Sequence, residues 1–117
     1  MCAKTFDKSN LKRFCESIKV IRVMYPEMTL NALHAFLISA LEEGVTMADM
    51  AHRANFSQSS SSRNTALLSA HHRYGRAGLD LIRATEDPRE RRRKLVHLTA
   101  KGRRLVSLLA DINKPDV

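Results

Sequence analysis

Residues 32–41 read ALHAFLISAL, a run broken only by His34 and Ser39. At 1.5 Å per residue such a helix covers about 15 Å, half of a bilayer's hydrocarbon core. It is too short to cross a membrane and too apolar to lie on a surface. An interior helix is the solution left, and the rest of the chain must wrap around it. Thr29 is a good N-cap and Gly44 a good stop, so the helix is expected over 30–43. Leu30, Leu33, Leu37 and Leu41 form its main stripe, broadened by Phe36 and Ile38. The full 117 residues suit one domain, 1–117. Aromatics are 5% and Trp is absent, so the core must rest on Leu, Ile, Val, Met and Ala.

The flanking segments carry their own signals. Leu11, Phe14, Cys15, Ile18 and Ile21 share one face of a helix over 9–25, capped by Asp7 or Ser9 and ended by Tyr25-Pro26. Thr46 and Asp49 have capping-box spacing, which predicts a short helix over 47–54 that buries Met47, Met50 and Ala51. Asn55-Phe56 breaks it, and Ser57 can cap a further helix from Gln58. The serines between 57 and 62 also suit a linker. The helical reading rests on Phe56, Ser60, Asn64 and Leu67, which fall on one face. Residues 71–78, HHRYGRAG, read as a loop or a frayed helix end. A strand over 78–84, a charged turn over 86–90 and a strand over 92–98 make a hairpin. Thr99 caps a last helix over 100–112, with Leu105, Leu108, Leu109 and Ile112 on one face.

The charge is lopsided. The net charge is +8, and 13 of the 20 basic residues lie after residue 58, against 6 of the 12 acids. A basic half suggests a polyanionic partner, nucleic acid or an acidic membrane surface. No signal-peptide pattern stands at the N-terminus, and Cys2 and Cys15 make no disulfide framework, so a cytoplasmic setting is expected.

The order is helix, helix, short helix, tight turn, helix, basic hairpin, helix. A short helix, a turn and a second helix form the helix-turn-helix arrangement, and an Arg-rich hairpin beside it can grip a sugar-phosphate backbone as a wing. The fold expected is mainly α with a small β-hairpin (α+β), a winged helix-turn-helix core over about 28–98 between end helices. The stretch GLDLIRATEDPRERRRKLVHLTAKGRRLV resembles the wing and following helix of MarR-type winged-helix regulators. Asp87, Arg89, Glu90 and Arg92 match the family's D-x-R-[DE]-x-R, and Leu98, Thr99 and Gly102 its L-T-x-x-G. Residues 45–51 and 56–63 resemble the family's helix-turn-helix, and the likeness covers about 28–112.

The resemblance implies a homodimeric repressor of a pseudo-palindromic double-stranded DNA site. It places Ser57, Gln58, Ser59, Ser62 and Arg63 at the major groove and Arg89 at the wing tip near the minor groove. Arg91, Arg92, Arg93 and Lys94 extend the basic contact surface. Asp87 and Glu90 are read as orienting the wing arginines, because a carboxylate is repelled by phosphate. The end helices, through Leu11, Phe14, Ile18, Ile21, Leu105, Leu108, Leu109 and Ile112, are read as the dimer surface. In the family a small-molecule effector lies between dimer arms and DNA-binding lobes. Ser61 and Thr65 depart from the apolar residues common at those positions, about six extra residues precede the wing, and the last helix is short.

Other chemistry is thinly represented. Cys15 lies on the apolar stripe, where a small core residue is the plain reading and a redox sensor the sharp one. The histidines at 34, 52, 71, 72 and 97 show no metal-ligand spacing, so neither metal nor cofactor is expected. Arg103 and Arg104 read as general surface charge. No G-x-S-x-G, P-loop or HExxH is present, which argues against an enzyme. Two alternatives stand beside the regulator. One is a winged-helix protein-interaction module without sequence-specific DNA binding. The other is a non-specific architectural or RNA-binding protein, for which Tyr25, Tyr74 and four Phe are few stacking residues.

Overall fold

The computed structural model describes residues 5–70 and 76–115. Among them are five helices and a three-stranded antiparallel sheet. In chain order these are α1 (Lys8–Met24), α2 (Leu30–Leu41), β1 (Val45–Thr46), α3 (Met47–Ala54), α4 (Gln58–Leu68), β2 (Ile82–Asp87), β3 (Glu90–Leu98) and α5 (Ala100–Ile112). The α+β winged helix-turn-helix expected from the sequence is the fold observed. His71, His72 and Tyr74, with most of the expected loop, lie outside the described residues, as does Cys2.

Each helix starts where a side chain satisfies a free backbone amide. The Asp7 carboxylate accepts from Ser9 N at 2.8 Å, Thr29 Oγ1 from Ala32 N at 3.0 Å and Thr46 Oγ1 from Asp49 N at 3.0 Å. Ser57 Oγ accepts from Ser60 N at 3.1 Å and Thr99 Oγ1 from Gly102 N at 3.0 Å.

Helix α2 is central, but it does not bury the stripe expected. Leu30, Leu37 and Leu41 are exposed, and of that stripe only Leu33 is buried. The buried face is Ala32, Ala35, Phe36, Ile38 and Ser39. Ala32, Ala35 and Ser39 thus share the inward face with Leu33, Phe36 and Ile38. Ser39 Oγ donates to Ala35 O at 2.9 Å and lies 3.5 Å from Met50 Sδ, with both residues fully buried. Phe36, Met50, Leu68, Leu81, Ile82 and Val96 fill the centre.

The sheet runs β1-β3-β2, with Val45 opposite Val96 and Ile82 opposite Leu98. Strand β1 has no signature in the sequence, since two residues carry no alternation. The first hairpin strand begins at Ile82, not 78. Residues 78–81 instead close off the end of α4: Leu79 N donates to Leu67 O at 2.9 Å and Leu81 N to Leu68 O at 2.8 Å. The expected turn shrinks to Pro88-Arg89 as the strands run on to Asp87 and from Glu90.

Helix α5 is set by a contact between backbones. Thr99 N donates to Leu81 O at 3.1 Å, and Thr99 Oγ1 donates to Asp80 O at 2.7 Å. One turn later, a Cβ on Gly102 would stand 2.1 Å from Leu81 O. That is the physical content of the L-T-x-x-G motif: the helix needs the hydroxyl as a cap and needs no side chain where it crosses the chain at Leu81. Arg103, read from the sequence as general surface charge, pairs with Glu43 at 2.8 Å, and Glu43 also accepts from Leu98 N at 3.3 Å.

The radius of gyration is 16.0 Å with extents of 54 × 30 × 26 Å, against about 13 Å for a compact chain of this length. The first half of α1 accounts for part of this, with Leu11 56% and Phe14 61% exposed. Cys15 is exposed as well, so it is not a core residue of this chain. The second half of α1 packs on the body through Ser17, Ile18, Ile21 and Tyr25, and Asn113 of the α5 end donates to Ser17 Oγ at 2.7 Å. Replacing Gly102 by alanine is expected to cost ~1–3 kcal/mol or more, because the obstacle is a backbone carbonyl. Urea denaturation of G102A checks this, and an unchanged midpoint contradicts it.

Candidate nucleic-acid interface

Helices α3 and α4 are joined by a tight turn. Asn55 takes the left-handed conformation at φ 57°, and its N–H reaches Ala51 O and His52 O. Phe56 N also donates to Ala51 O at 2.8 Å. Asparagine tolerates this conformation better than most residues, which accounts for the break at Asn55-Phe56.

Helix α4 turns Ser61, Asn64, Thr65 and Leu68 inward. This is not the face expected from Phe56, Ser60, Asn64 and Leu67; Ser60 and Leu67 lie at its margin. The outward face carries Gln58, Ser59, Ser62 and Arg63, all exposed, with Ser57 exposed at the start. Ser57 is already engaged as the cap, so its oxygen holds the helix as well as facing solvent. The inward face is polar: Asn64 Nδ2 donates to Ser60 Oγ at 3.3 Å, while the buried Ser61 and Thr65 hydroxyls have no partner among the described residues.

The wing departs from a simple hairpin. Glu86 pairs with Lys94, yet the next residue, Asp87, pairs with Glu90. Arg91, Arg92 and Arg93 are therefore extra on β3, a bulge three residues long. All three are exposed, as are Arg89 and Lys94. The buried Asp87 carboxylate holds the bulge together. Its Oδ1 accepts from Arg89 N at 2.9 Å and its Oδ2 from Arg93 Nε at 2.8 Å. The Arg89 amide chiefly, helped by Arg93, keeps this carboxyl below its ordinary value of 3.8. Asp87 thus contacts both the turn backbone and one wing arginine. Glu90 is exposed and makes no ion pair among the described residues.

The hairpin and α4 share one concave surface. A cleft of about 630 Å³ is lined by Arg92, Arg93 and Lys94 of β3, by Gln58, Ser61 and Ser62 of α4 and by residues of α3 that include Met47 and Ala51. Cations and hydrogen-bonding side chains thus line one cleft.

The residues read as a dimer surface divide. Ile21, Leu105 and Leu109 are buried in this chain's own core, and Ile18 packs against it. Leu11, Phe14 and Leu108 are exposed, with Ile112 half-buried. At the body end of α1, Tyr25 is buried under Lys101, whose Nζ lies 5.5 Å from the ring centre; burial raises the phenol's pKa, partly offset by Arg104. His34 meets Phe56 edge to face at 6.2 Å. Among the described residues no three His, Cys, Asp or Glu side chains gather where they could hold a metal ion. Nor is any described helix long and apolar enough to cross a membrane.

No family model matches the sequence, and no curated protein sequence matches it. Solved structures do match. The PcaV transcriptional regulator from Streptomyces coelicolor, in complex with its natural ligand, is 18% identical, with a TM-score of 0.61 over 95% of this chain and 81% of that one. MarR is 18% identical, with a TM-score of 0.64 over 90% and 73%. A MepR–DNA complex from S. aureus is 19% identical, with a TM-score of 0.66 over 86% and 73%. At these identities the likeness is one of fold, and the fold is the MarR-type winged helix.

Asp87 stabilises the wing in its charged form, because its carboxyl titrates below the ordinary carboxylate value. The contribution is complete above 3.8 and fades only as pH falls through the lower folded-state value. The Arg89 amide resonance is therefore expected to hold its position from pH 7 to 5 and to move only in stronger acid. In Asp87→Ala it should already stand at the loosened position at pH 7, and an amide that shifts between pH 7 and 5 contradicts the assignment.

Proposed function

We propose that the protein is a sequence-specific double-stranded DNA-binding transcriptional regulator, a homodimeric repressor acting in the cytoplasm on a pseudo-palindromic site. The observation that carries this reading is the shared surface of α4 and the wing. Gln58, Ser59, Ser62 and Arg63 stand outward on the second helix of a helix-turn-helix, and the cations of the bulge continue that surface across the cleft. The fold likeness to MepR in complex with DNA supports it.

The roles divide by chemistry. A serine hydroxyl can donate or accept, so it discriminates weakly between bases. Gln58 and Arg63 therefore carry most of the direct reading, with Ser59 and Ser62 filling in. Arg89 at the turn, and Arg91, Arg92 and Lys94 beside it, supply sequence-independent attraction to phosphate or to a narrow minor groove. Arg93 is held by Asp87 and loses less rotamer freedom on contact. Duplication of the half-site rests on the exposed apolar residues of α1 and α5. Leu11, Phe14 and Leu108 are apolar, exposed and otherwise unexplained, and the same face of a second copy covers them.

The direct test is fluorescence anisotropy on the DNA upstream of the gene and on a scrambled duplex, over a salt series. Preference for the upstream duplex that persists near physiological salt is expected. Equal binding that fades with salt removes sequence specificity, and no binding moves the reading to a protein-interaction module. Arg63→Ala should cost about 1–3 kcal/mol on the preferred duplex and far less on the scrambled one. Arg92→Ala should weaken both alike and lower the salt slope by about one. Equal losses from R63A on both duplexes remove its reading role.

Sedimentation checks the assembly. The wild-type chain is expected to sediment as a dimer at micromolar concentration, and Phe14→Asp as a folded monomer. A wild-type monomer across that range contradicts the pairing.

A further inference from the structure

The anchorage of α4 is unlike that of the other helices. Residues 58–65, its first two turns, place no apolar side chain in the core. What they bury is Ser61, 4% exposed, Asn64, 8%, and Thr65, 7%. The first large apolar side chain inside is Leu68, at the far end. The Ser61 and Thr65 hydroxyls are buried without a partner among the described residues, although a serine or threonine in a helix commonly bonds back one turn. The protein does this elsewhere: Ser17, Ser39 and Ser69 each donate to the carbonyl four residues earlier. Burying an unpaired hydroxyl opposes folding, and serine, asparagine and threonine are indifferent helix formers. The polar contacts at the start of α4 include the Ser57 cap, the Ser61 N–H on Ser57 O and the long Asn64–Ser60 bond, and Phe56 packs on the core just before it. Its far end is held firmly, by Leu68 in the core and by the amides of Leu79 and Leu81 on its last carbonyls. The two ends of one helix thus differ in what keeps them closed.

We propose that residues 58–65 open locally at far lower cost than the domain unfolds, and that DNA closes them, so that folding and reading by this segment are one event. The closure by DNA rests on the function proposed above; the local opening does not. Opening returns both orphaned hydroxyls to water, which favours it. A duplex gives the outward face phosphate and base-edge partners that exist only while the segment is helical, which opposes it. No such arrangement exists in α2, whose buried face is apolar apart from the bonded Ser39.

Hydrogen exchange read by NMR on the whole protein tests this. In the free protein, amides 61–66 are expected to exchange at least about tenfold faster than those of the central turns of α2. The paired, nearly isosteric change Ser61→Ala with Thr65→Val should slow 61–66 by about tenfold relative to α2. Ser59→Ala, which changes helix propensity at an exposed position, should slow them by less than about twofold. A mixed-sequence 24-base-pair duplex at low salt should protect 61–66 selectively. Exchange of 61–66 as slow as that of α2 in the free protein overturns the proposal. So does a double variant that slows every helix equally, or a bound duplex that leaves 61–66 unprotected. A duplex that does not bind at all, by anisotropy, overturns the DNA-binding reading and the coupling with it. The free-protein rates then still decide the local opening.

Discussion

The backbone around Leu81 is the joint on which the other parts hang. Its N–H closes the end of α4 through Leu68, and its carbonyl accepts from Thr99 at the start of α5. Gly102 lies against that carbonyl so closely that a single methyl group would part them. The next residue, Ile82, opens the wing. Helix α4, the basic hairpin and α5 are therefore fixed to one another around one residue. Side chains add to this from further out: the Glu43 carboxylate ties Arg103 of α5 to the β3 backbone at Leu98. None of these links uses a side chain proposed to touch DNA, so the frame and the contacts are built from separate residues.

The local features of the fold are legible in the sequence, because they are decided locally. A side chain able to accept one amide marks each helix start, and Asp7, Thr29, Thr46, Ser57 and Thr99 all do so. The illegible features depend on partners far along the chain. Two residues of β1 make a strand only because β3 lies beside them. Leu79 and Leu81 alternate like strand residues, yet they spend their amides on α4. The inward face of α2 mixes Ala32, Ala35 and Ser39 with Leu33, Phe36 and Ile38, so hydrophobicity alone does not set it apart from Leu30, Leu37 and Leu41.

The candidate site is legible to a similar degree and for similar reasons. The wing cations, the outward residues of α4 and the carboxylate of Asp87 can be named from their motif. The bulge that sets Arg91, Arg92 and Arg93 apart cannot, since a register shift leaves no mark in composition. The residues read from the sequence as a dimer surface divide between this chain's core and its exterior, because apolar periodicity on an end helix does not say what covers each residue. Ile21, Leu105 and Leu109 close this chain's core, while Leu11 and Phe14, on the projecting half of α1, stay outside it.

The bulge has a consequence for how such a protein changes over generations. Pairing from Ile82–Leu98 to Glu86–Lys94 is uninterrupted, and beyond it lies a loop of cations closed by one carboxylate. Side chains at 88, 91 and 92 lie beyond the last core-side pair, Glu86–Lys94, and can be exchanged without touching any pair from Ile82–Leu98 to Glu86–Lys94. The charge of this loop is thus heritable separately from the ability to fold, and a lineage can retune its attraction to a polyanion while keeping the same interior.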